Sequence, residues 1–249
     1  MTSLLSPRRR RGVEILDDPA VAPGLITRSM ADVARANKLF GGSRAAIAEL
    51  RLALASLAGR VTMVDVGTGR GDIPAHARVE ADKLGIELWT IGVDAAEPLL
   101  VAHKGANNAV IRGNALALPL ANRSVDIALC SQLLHHFQFD DAVAVVREMD
   151  RVARSRVIIS DLRRSVIAAA GIWLASFPLR FHPVSRHDGI VSVMRGFTAH
   201  ELGDIVEAAV GRRATVKHRA GFRLTASWTP ASAVSSSSSA SLTTGISND

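Results

Sequence analysis

The chain has 249 residues, of which 48% are apolar, so its length and composition suit one domain with a sizeable core. Its single cysteine, Cys130, excludes a disulfide framework and a cysteine-rich zinc site, and it favours a reducing compartment. We therefore expect a cytoplasmic protein. The most apolar stretch, Val166–Leu179, is shorter than the roughly 20 residues of a spanning helix, so we expect peripheral membrane contact at most.

Positive charge is concentrated in the C-terminal half. The formal net charge is +7, and residues 141–230 carry 14 basic and 8 acidic side chains. This imbalance suits an anionic substrate, a membrane surface or nucleic acid. Aromatic residues make up only 4% and are not interleaved with the basic ones, so nucleic acid is poorly supported and a small-molecule partner is favoured. The sequence gives no indication of an oligomeric state.

Three regions differ in composition. Residues 1–24 hold a basic run and two turn signals, and we expect a mobile N-terminal segment. Residues 231–249 contain eight serines in 19 positions, which predicts a disordered tail. The main domain, 25–230, begins with helical spacing over residues 25–58, interrupted at Gly41 and Gly42, and we expect a helical cap there.

Short β-branched runs alternate with helical stretches along the rest of the domain. Helical spacing recurs over residues 73–85, 96–104, 140–153 and 199–210. The strand-like runs are Val61–Val66, Leu88–Val93, Val110–Ile111, Val125–Cys130, Val157–Ser160, Ala214–His218 and Phe222–Trp228. This alternation predicts an α/β fold whose parallel sheet is covered on both faces, with a hairpin at its end.

A glycine-rich loop follows the first predicted strand and enters a helix. Gly67, Gly69 and Gly71 give the spacing G-x-G-x-G. A dinucleotide loop would have its third glycine at position 72, which is Asp72 instead. An acid at a helix start is unfavourable beside a pyrophosphate, whereas it suits a ligand with an ammonium and a sulfonium group. The loop therefore argues against NAD.

Two further segments extend this pattern. Asp94 ends the second predicted strand, where an acid can accept both ribose hydroxyls. A loop from Arg112 to Leu120 follows the third strand and leads to the segment Val125–Phe137, which begins with the fourth strand.

Together these motifs resemble the class I S-adenosylmethionine-dependent methyltransferases, including ubiquinone- and menaquinone-type enzymes. The resemblance covers residues 60–165 well and residues 166–228 loosely. It implies a Rossmann-like, seven-stranded sheet with the order 3-2-1-4-5-7-6 and one antiparallel strand, with residues 60–165 as the cofactor-binding core. It implies S-adenosylmethionine as cofactor. The cofactor-binding residues that follow from it are Asp65, Gly67, Thr68, Gly69, Gly71, Asp94, Ala95, Asn114, Ala115, Ser131, Gln132 and His136.

One of these positions departs from the family pattern. Asn114 stands where many members have Asp, although its amide oxygen can still accept a hydrogen bond from the adenine amino group. The runs 161–165 and 186–189 also resemble a subgroup found near bacterial secondary-metabolite genes.

The acceptor side is expected beneath residues 28–40 and a substrate-side insert, 166–197. His187, supported by Asp188 in a non-periodic stretch, is our candidate general base, with His135 or His136 as the alternative. A loop salt bridge between Arg186 and Asp188 is the structural alternative. Methyl transfer needs no metal, and we expect none.

We therefore expect O- or C-methylation of a small phenolic, enolic or lipid-like secondary metabolite. Basic residues beside the apolar stretch 166–179 suit an acidic acceptor. A regulatory protein that binds the cofactor without catalysis is the first alternative, and an RNA or protein methyltransferase is the second. The residues after the fourth strand, 131–134, lack the motif of nucleobase-directed enzymes, which disfavours nucleobase methylation.

Overall fold

A seven-stranded sheet forms the centre of the molecule. The computed structural model describes residues 7–10, 12–18, 20–96 and 108–231. The strands are β1 (Arg60–Val66), β2 (Glu87–Asp94), β3 (Ala109–Arg112), β4 (Val125–Ser131), β5 (Ala153–Leu162), β6 (Thr215–Arg219) and β7 (Arg223–Trp228). Their order is β3-β2-β1-β4-β5-β7-β6, and β7 is antiparallel to both of its neighbours. The predicted fold class, strand order and terminal hairpin are confirmed.

Helices cover both faces of this sheet. They are α1 (Pro23–Phe40), α2 (Gly42–Leu54), α3 (Asp72–Asp82), α4 (Phe139–Val152), α5 (Val166–Ser176), α6 (Pro183–Arg195) and α7 (Ala199–Val210). Side chains that alternate along a strand enter opposite layers of the core. Met63 packs with the buried residues of α2 and α3, whereas Val64 packs with those of α4 and α7.

The second helix of the expected cap belongs to the sheet layer. Leu50 and Leu54 of α2 are fully buried against the strands. The buried Glu49 accepts a hydrogen bond from Thr225 Oγ1 at 2.8 Å and pairs with Arg219, which holds α2 to the β6–β7 hairpin. Only α1 of the region 25–58 lies beside α6, where a cap over an acceptor is expected.

The described residues of the N-terminal segment, which the sequence predicts to be mobile, contact the domain. Arg9 donates hydrogen bonds to the carbonyl oxygens of His135, Phe137 and Arg195, at 2.6–3.0 Å. Glu14 is buried and accepts a hydrogen bond from Ser192. Arg9 of the basic run is therefore held against the domain, because three carbonyl groups of other segments accept hydrogen bonds from its guanidinium.

Two expectations fall on residues outside this description. They are the helix expected over 96–104, apart from its first residue, and the serine-rich tail from 232 onward. Within the described ranges, no helix is long and apolar enough to cross a bilayer.

The hairpin turn before β7 gives a stability prediction. Gly221 has a φ of +72°, and a Cβ atom there would lie 1.7 Å from the Phe40 carbonyl oxygen. Gly85 has a φ of +68° with open space around it. We expect Gly85→Ala to cost about 1–2 kcal/mol from backbone strain alone. Gly221→Ala should cost about 1–3 kcal/mol more, because the end of α1 must move.

Urea denaturation of both variants checks this prediction. Equal losses in the free energy of unfolding would show that the turn does not press against Phe40.

Candidate functional site

The loop between β1 and α3 has a backbone that glycine adopts readily. Gly67, Gly69 and Gly71 have φ values of +72°, +52° and +77°. The Gly67 amide donates to the Val93 carbonyl oxygen at 2.8 Å, and a Cβ atom on Gly67 would lie 2.8 Å from Leu133 Cδ1. The loop is therefore confined between the ends of β2 and β4.

Asp94 fastens this loop from the end of β2. Its Oδ2 accepts the Gly69 amide at 2.9 Å, and its Oδ1 accepts the Ala96 amide at 2.9 Å. Each carboxylate oxygen has a second acceptor position, so these bonds leave capacity for ribose hydroxyls. Ala95 lies between the two bonded residues, at the start of the following turn.

Asp65 lies directly beneath the loop and is fully buried. Burial raises the pKa of its carboxyl to about 7, an effect that a hydrogen bond from Thr68 partly offsets and that the charge of Asp94 reinforces. The buried Thr68 donates its amide to the Val93 carbonyl oxygen. This pair organises the loop from below.

The loop after β3 is internally bonded. Asn114 Oδ1 accepts the Leu116 amide at 2.9 Å, and Asn114 forms a β-bridge with Ala117. The second lone pair of that oxygen remains for an adenine amino group. Ala115 is half-buried and packs against the core.

The cofactor cleft, bounded by the glycine loop, Asp94, Asn114 and the end of β4, fits the cofactor that the motifs imply. A Cβ atom on Gly69 would meet nothing within 4 Å, so the loop faces open space. Ser131 Oγ, at the end of β4, is buried without a hydrogen-bond partner among the described residues. An orphaned hydroxyl, loop amides and two carboxyl groups form a donor and acceptor set for a ligand with hydroxyls and an ammonium group.

An apolar cavity of about 310 Å³ lies beside this cleft. Its walls come from α1, α5, α6 and the β6–β7 hairpin, with Ile167, Ile172, Phe181, Val193 and Phe222 among the apolar side chains. It lies between the two regions, 28–40 and 166–197, where the sequence predicted the acceptor.

Gln132 joins the cavity to the cofactor cleft. It follows β4 directly, lines the cavity, and has a φ of +56°, which is uncommon for a residue other than glycine. Its amide donates to the Ser160 carbonyl oxygen at 2.8 Å, which holds this backbone in place. The sequence prediction assigned Gln132 to cofactor binding, and the structure places it at the boundary of both spaces.

Arg223 is a cavity residue that the sequence analysis missed. It is only 6% exposed. Its Nη1 donates to the Gly221 carbonyl oxygen and its Nη2 to Gln132 Oε1, both at 3.3 Å, while its Nε has no partner. Burial lowers its pKa to about 10, against the opposing influence of Asp161. No sequence signal separates this arginine from the exposed ones around it.

The proposed base, His187 with Asp188, lies outside the cavity wall. The stretch expected to be non-periodic is α6, and its cavity-lining residues are Ser185, Gly189, Ser192 and Val193. Helical spacing turns His187 to the opposite face. The pair therefore does not line this cavity, and its catalytic role stays a prediction.

Asp188 contacts the N-terminal segment. Its carboxylate accepts the amides of Ile15 and Leu16 at 2.9 and 3.0 Å, and His187 Nδ1 lies 2.8 Å from Asp188 Oδ1. Arg186 donates to Ser176 Oγ at 2.7 Å and stacks on Phe177, so the alternative of an Arg186–Asp188 salt bridge is also wrong.

His135 and His136 face the N-terminal segment. His135 is buried, and its Nδ1 lies 2.7 Å from Asp161 Oδ1. Burial lowers the pKa of His135, although the Asp161 charge opposes this. His136 Nδ1 lies 3.4 Å from Asp17 Oδ1. Neither residue lines the cavity, and the expected cofactor contact of His136 and the catalytic role of His135 stay predictions.

Glu14, His135 and His136 offer ligand atoms within 4.8 Å of one another. The Arg195 guanidinium already lies there, with its Nη1 3.1 Å from Glu14 Oε1 and 3.4 Å from His136 Nδ1. A fixed cation at this distance opposes a second cation. The cluster is an ion-pair network that docks the N-terminal segment.

Comparison with known proteins points to one family. The model of the methyltransferase domain matches residues 64–160. Uncharacterized methyltransferases of Mycobacterium ulcerans and Mycobacterium marinum are 40% and 39% identical over 82 residues. Each match covers 32% of this chain and 31% of the relative, so it spans about a third of the length of these curated relatives.

Solved structures show the same fold. An S-adenosylmethionine-dependent methyltransferase from Aquifex aeolicus aligns with 85% of this chain and 100% of its own, with a TM-score of 0.57 and 17% identity. A magnesium protoporphyrin IX methyltransferase from Synechocystis, solved with bound S-adenosylhomocysteine, aligns with 80% of this chain and 87% of its own (TM-score 0.52, 14% identity).

The raised pKa of Asp65 predicts a pH dependence. The Asp65 carboxyl has a pKa of about 7 in the folded chain, against an ordinary value of 3.8. Between these two pH values the folded chain binds more protons than the unfolded chain, so the free energy of unfolding falls as the pH rises from about 4 through 7. We expect Asp65→Asn, which cannot ionise, to gain stability relative to the parent chain between pH 5 and pH 8.

Thermal unfolding of the parent chain and of Asp65→Asn at pH 5 and pH 8 checks this prediction. Asp82→Asn, at the exposed end of α3, removes an equal charge and is the control. A constant difference between Asp65→Asn and the parent chain would contradict a raised pKa.

Asp188 and His187 give a matched pair of stability variants. Asp188→Ala should lower the free energy of unfolding by about 1–3 kcal/mol, because two backbone amides lose their acceptor. His187→Ala should stay within about 0.5 kcal/mol of the parent chain, since its side chain is half exposed. Urea denaturation measures both, and a larger loss at His187 would reverse the assignment.

Proposed function

We propose that this chain, whose residues 64–160 match the methyltransferase domain, is a class I S-adenosylmethionine-dependent methyltransferase that methylates a small apolar acceptor held in the cavity. The observation that carries this proposal is the position of Gln132. This residue lines the cavity, and the next residue, Leu133, packs on Gly67 of the glycine loop. An acceptor in the cavity therefore adjoins the cofactor cleft.

The residues of the cleft would hold the cofactor S-adenosylmethionine, which supplies a methyl group already activated by its sulfonium. Asp94 would accept the ribose hydroxyls, and Asn114 with Ala115 would border the adenine. The loop Gly67–Gly71 and Asp65 would hold the amino-acid end, and an ammonium group beside Asp65 would favour its ionised form. The protein's contribution is to align the two reactants and to exclude water.

The cavity wall narrows the class of acceptor. Asp32 is the one carboxylate among the described lining residues, and these include no histidine, lysine or cysteine. Asp32 is bonded to Arg35 and to the His182 amide, and these bonds outweigh burial and lower the pKa of its carboxyl. A weak base of this kind favours an acceptor that ionises by itself, such as a phenol or an enol. O- or C-methylation of such a compound is our proposal.

The alternatives are less well supported by this geometry. A largely apolar cavity between helices suits a small molecule rather than an RNA strand or a protein side chain on a surface. A regulatory protein would need only the cofactor cleft and gives no reason for the adjoining cavity. The single, buried cysteine agrees with the expectation that the protein acts in the cytoplasm.

Calorimetric titration with S-adenosylhomocysteine tests the cofactor site. We expect a Kd of about micromolar, roughly −8 kcal/mol, and no tight binding of NAD. Asp94→Asn removes a charged acceptor and should weaken binding by about tenfold or more. Glu87→Gln, at the opposite and exposed end of the same strand, is the matched control and should bind as the parent chain does.

Tight NAD binding without a response to S-adenosylhomocysteine would overturn the proposal. Incubation of a metabolite extract with methyl-labelled cofactor, followed by mass spectrometry, tests catalysis itself. Retained cofactor binding with no labelled product from any extract would favour the regulatory alternative.

A further inference from the structure

We infer that Arg223 determines acceptor specificity by binding an anionic oxygen, a carboxylate or a phenolate, on an otherwise apolar acceptor. The inference rests on the proposed function, because it concerns the acceptor of the same site. It adds the residue that recognises the acceptor and the charge that the acceptor must carry.

The first observation is an incompletely bonded buried cation. The side chain of Arg223 is almost entirely removed from solvent, yet it makes two long hydrogen bonds to neutral oxygens and leaves Nε unpaired. Among the described residues, no carboxylate lies within salt-bridge distance of it. A buried charge without a counter-charge raises the free energy of the folded chain, and an anion bound beside Arg223 would offset this.

The second observation is that Asp161, the carboxylate whose charge acts on Arg223, is already hydrogen-bonded to other groups. Asp161 acts on Arg223 through space only. Its Oδ1 is bonded to His135 Nδ1 and the Leu162 amide, and its Oδ2 accepts the His135 amide. The carboxylate whose charge acts on Arg223 therefore has partners of its own and does not bond to this arginine.

The neighbouring arginine of the hairpin gives an internal comparison. Arg219 faces Arg223 in the β6–β7 register, and its guanidinium pairs with the buried carboxylate of Glu49. Where an arginine of this hairpin supports the fold, a glutamate neutralises it. Arg223 differs because it lines the cavity and has no such partner.

The rest of the cavity fixes the other part of the ligand. Apolar side chains of three helices form most of the wall, and the charge of Asp32 is neutralised by Arg35. An occupant therefore places an apolar body against Ile172, Phe181 and Val193 and a negative oxygen at the hairpin end. A guanidinium suits this role, since its planar donors bind carboxylate or phenolate oxygens strongly.

Two probe pairs, each differing in charge, test the inference on the full chain saturated with S-adenosylhomocysteine. Decanoate is compared with decanol, and pentachlorophenolate with pentachlorobenzene, by calorimetry. We expect at least one anion to bind about tenfold or more tighter than its neutral partner. Preference within the first pair identifies a carboxylate acceptor, and preference within the second identifies a phenolate acceptor.

Arg223→Met should abolish that preference without weakening S-adenosylhomocysteine binding, and Arg223→Lys should retain part of it. Arg163→Met is the matched control, because it removes an equal charge near the same hairpin from a residue outside the cavity wall. Arg223→Met should not lower the melting temperature, since it replaces an unpaired buried charge with an apolar side chain. If that variant does not fold, the parent chain and Arg223→Lys still decide the outcome.

Equal binding of anions and neutral partners, no binding of any probe, or an unchanged preference in Arg223→Met would each overturn the inference. These results are distinct from failure of the proposed function, which would appear as no binding of S-adenosylhomocysteine before any probe is added.

Discussion

The site depends on a turn that the chain makes as it leaves β1. Gly67, Gly69 and Gly71 all adopt positive φ, and the loop they form passes between the ends of β2 and β4. A side chain on Gly67 would collide with Leu133, so the close approach of loop and β4 requires glycine. Asp94, at the end of β2, holds the loop in this position by accepting a hydrogen bond from the Gly69 amide. The cofactor cleft and the adjoining cavity both follow from this approach.

The ends of the strands explain why the polar cofactor cleft and the apolar cavity lie side by side. Parallel strands deliver their carboxyl ends to one edge of the sheet, where polar backbone groups and acids can meet a ligand. The antiparallel β7 brings its first residue, Arg223, to that edge as well, because it pairs with Leu162 at the end of β5. A hairpin added to a parallel sheet thus places a buried cation beside the end of β5.

The sheet and the glycine loop could be predicted because their signals are local. β-branched runs, turn glycines and Asp94 lie close together in the sequence, and helical spacing outlined α1, α2 and α7. The roles of Asp188 and Arg223 could not be predicted in this way. Asp188 accepts amides more than 170 residues away, and the burial of Arg223 depends on helices from both ends of the chain. Sequence charge alone describes such residues as solvent-exposed.

A crystal structure with bound S-adenosylhomocysteine is the most direct test of this account. The account predicts density for the ribose at the carboxylate of Asp94 and for the amino-acid end over the glycine loop. The sulfur should lie near Gln132 and face the cavity between α1, α5 and α6. Ligand density at another edge of the sheet, or a sulfur separated from the cavity by closed protein, would contradict the account.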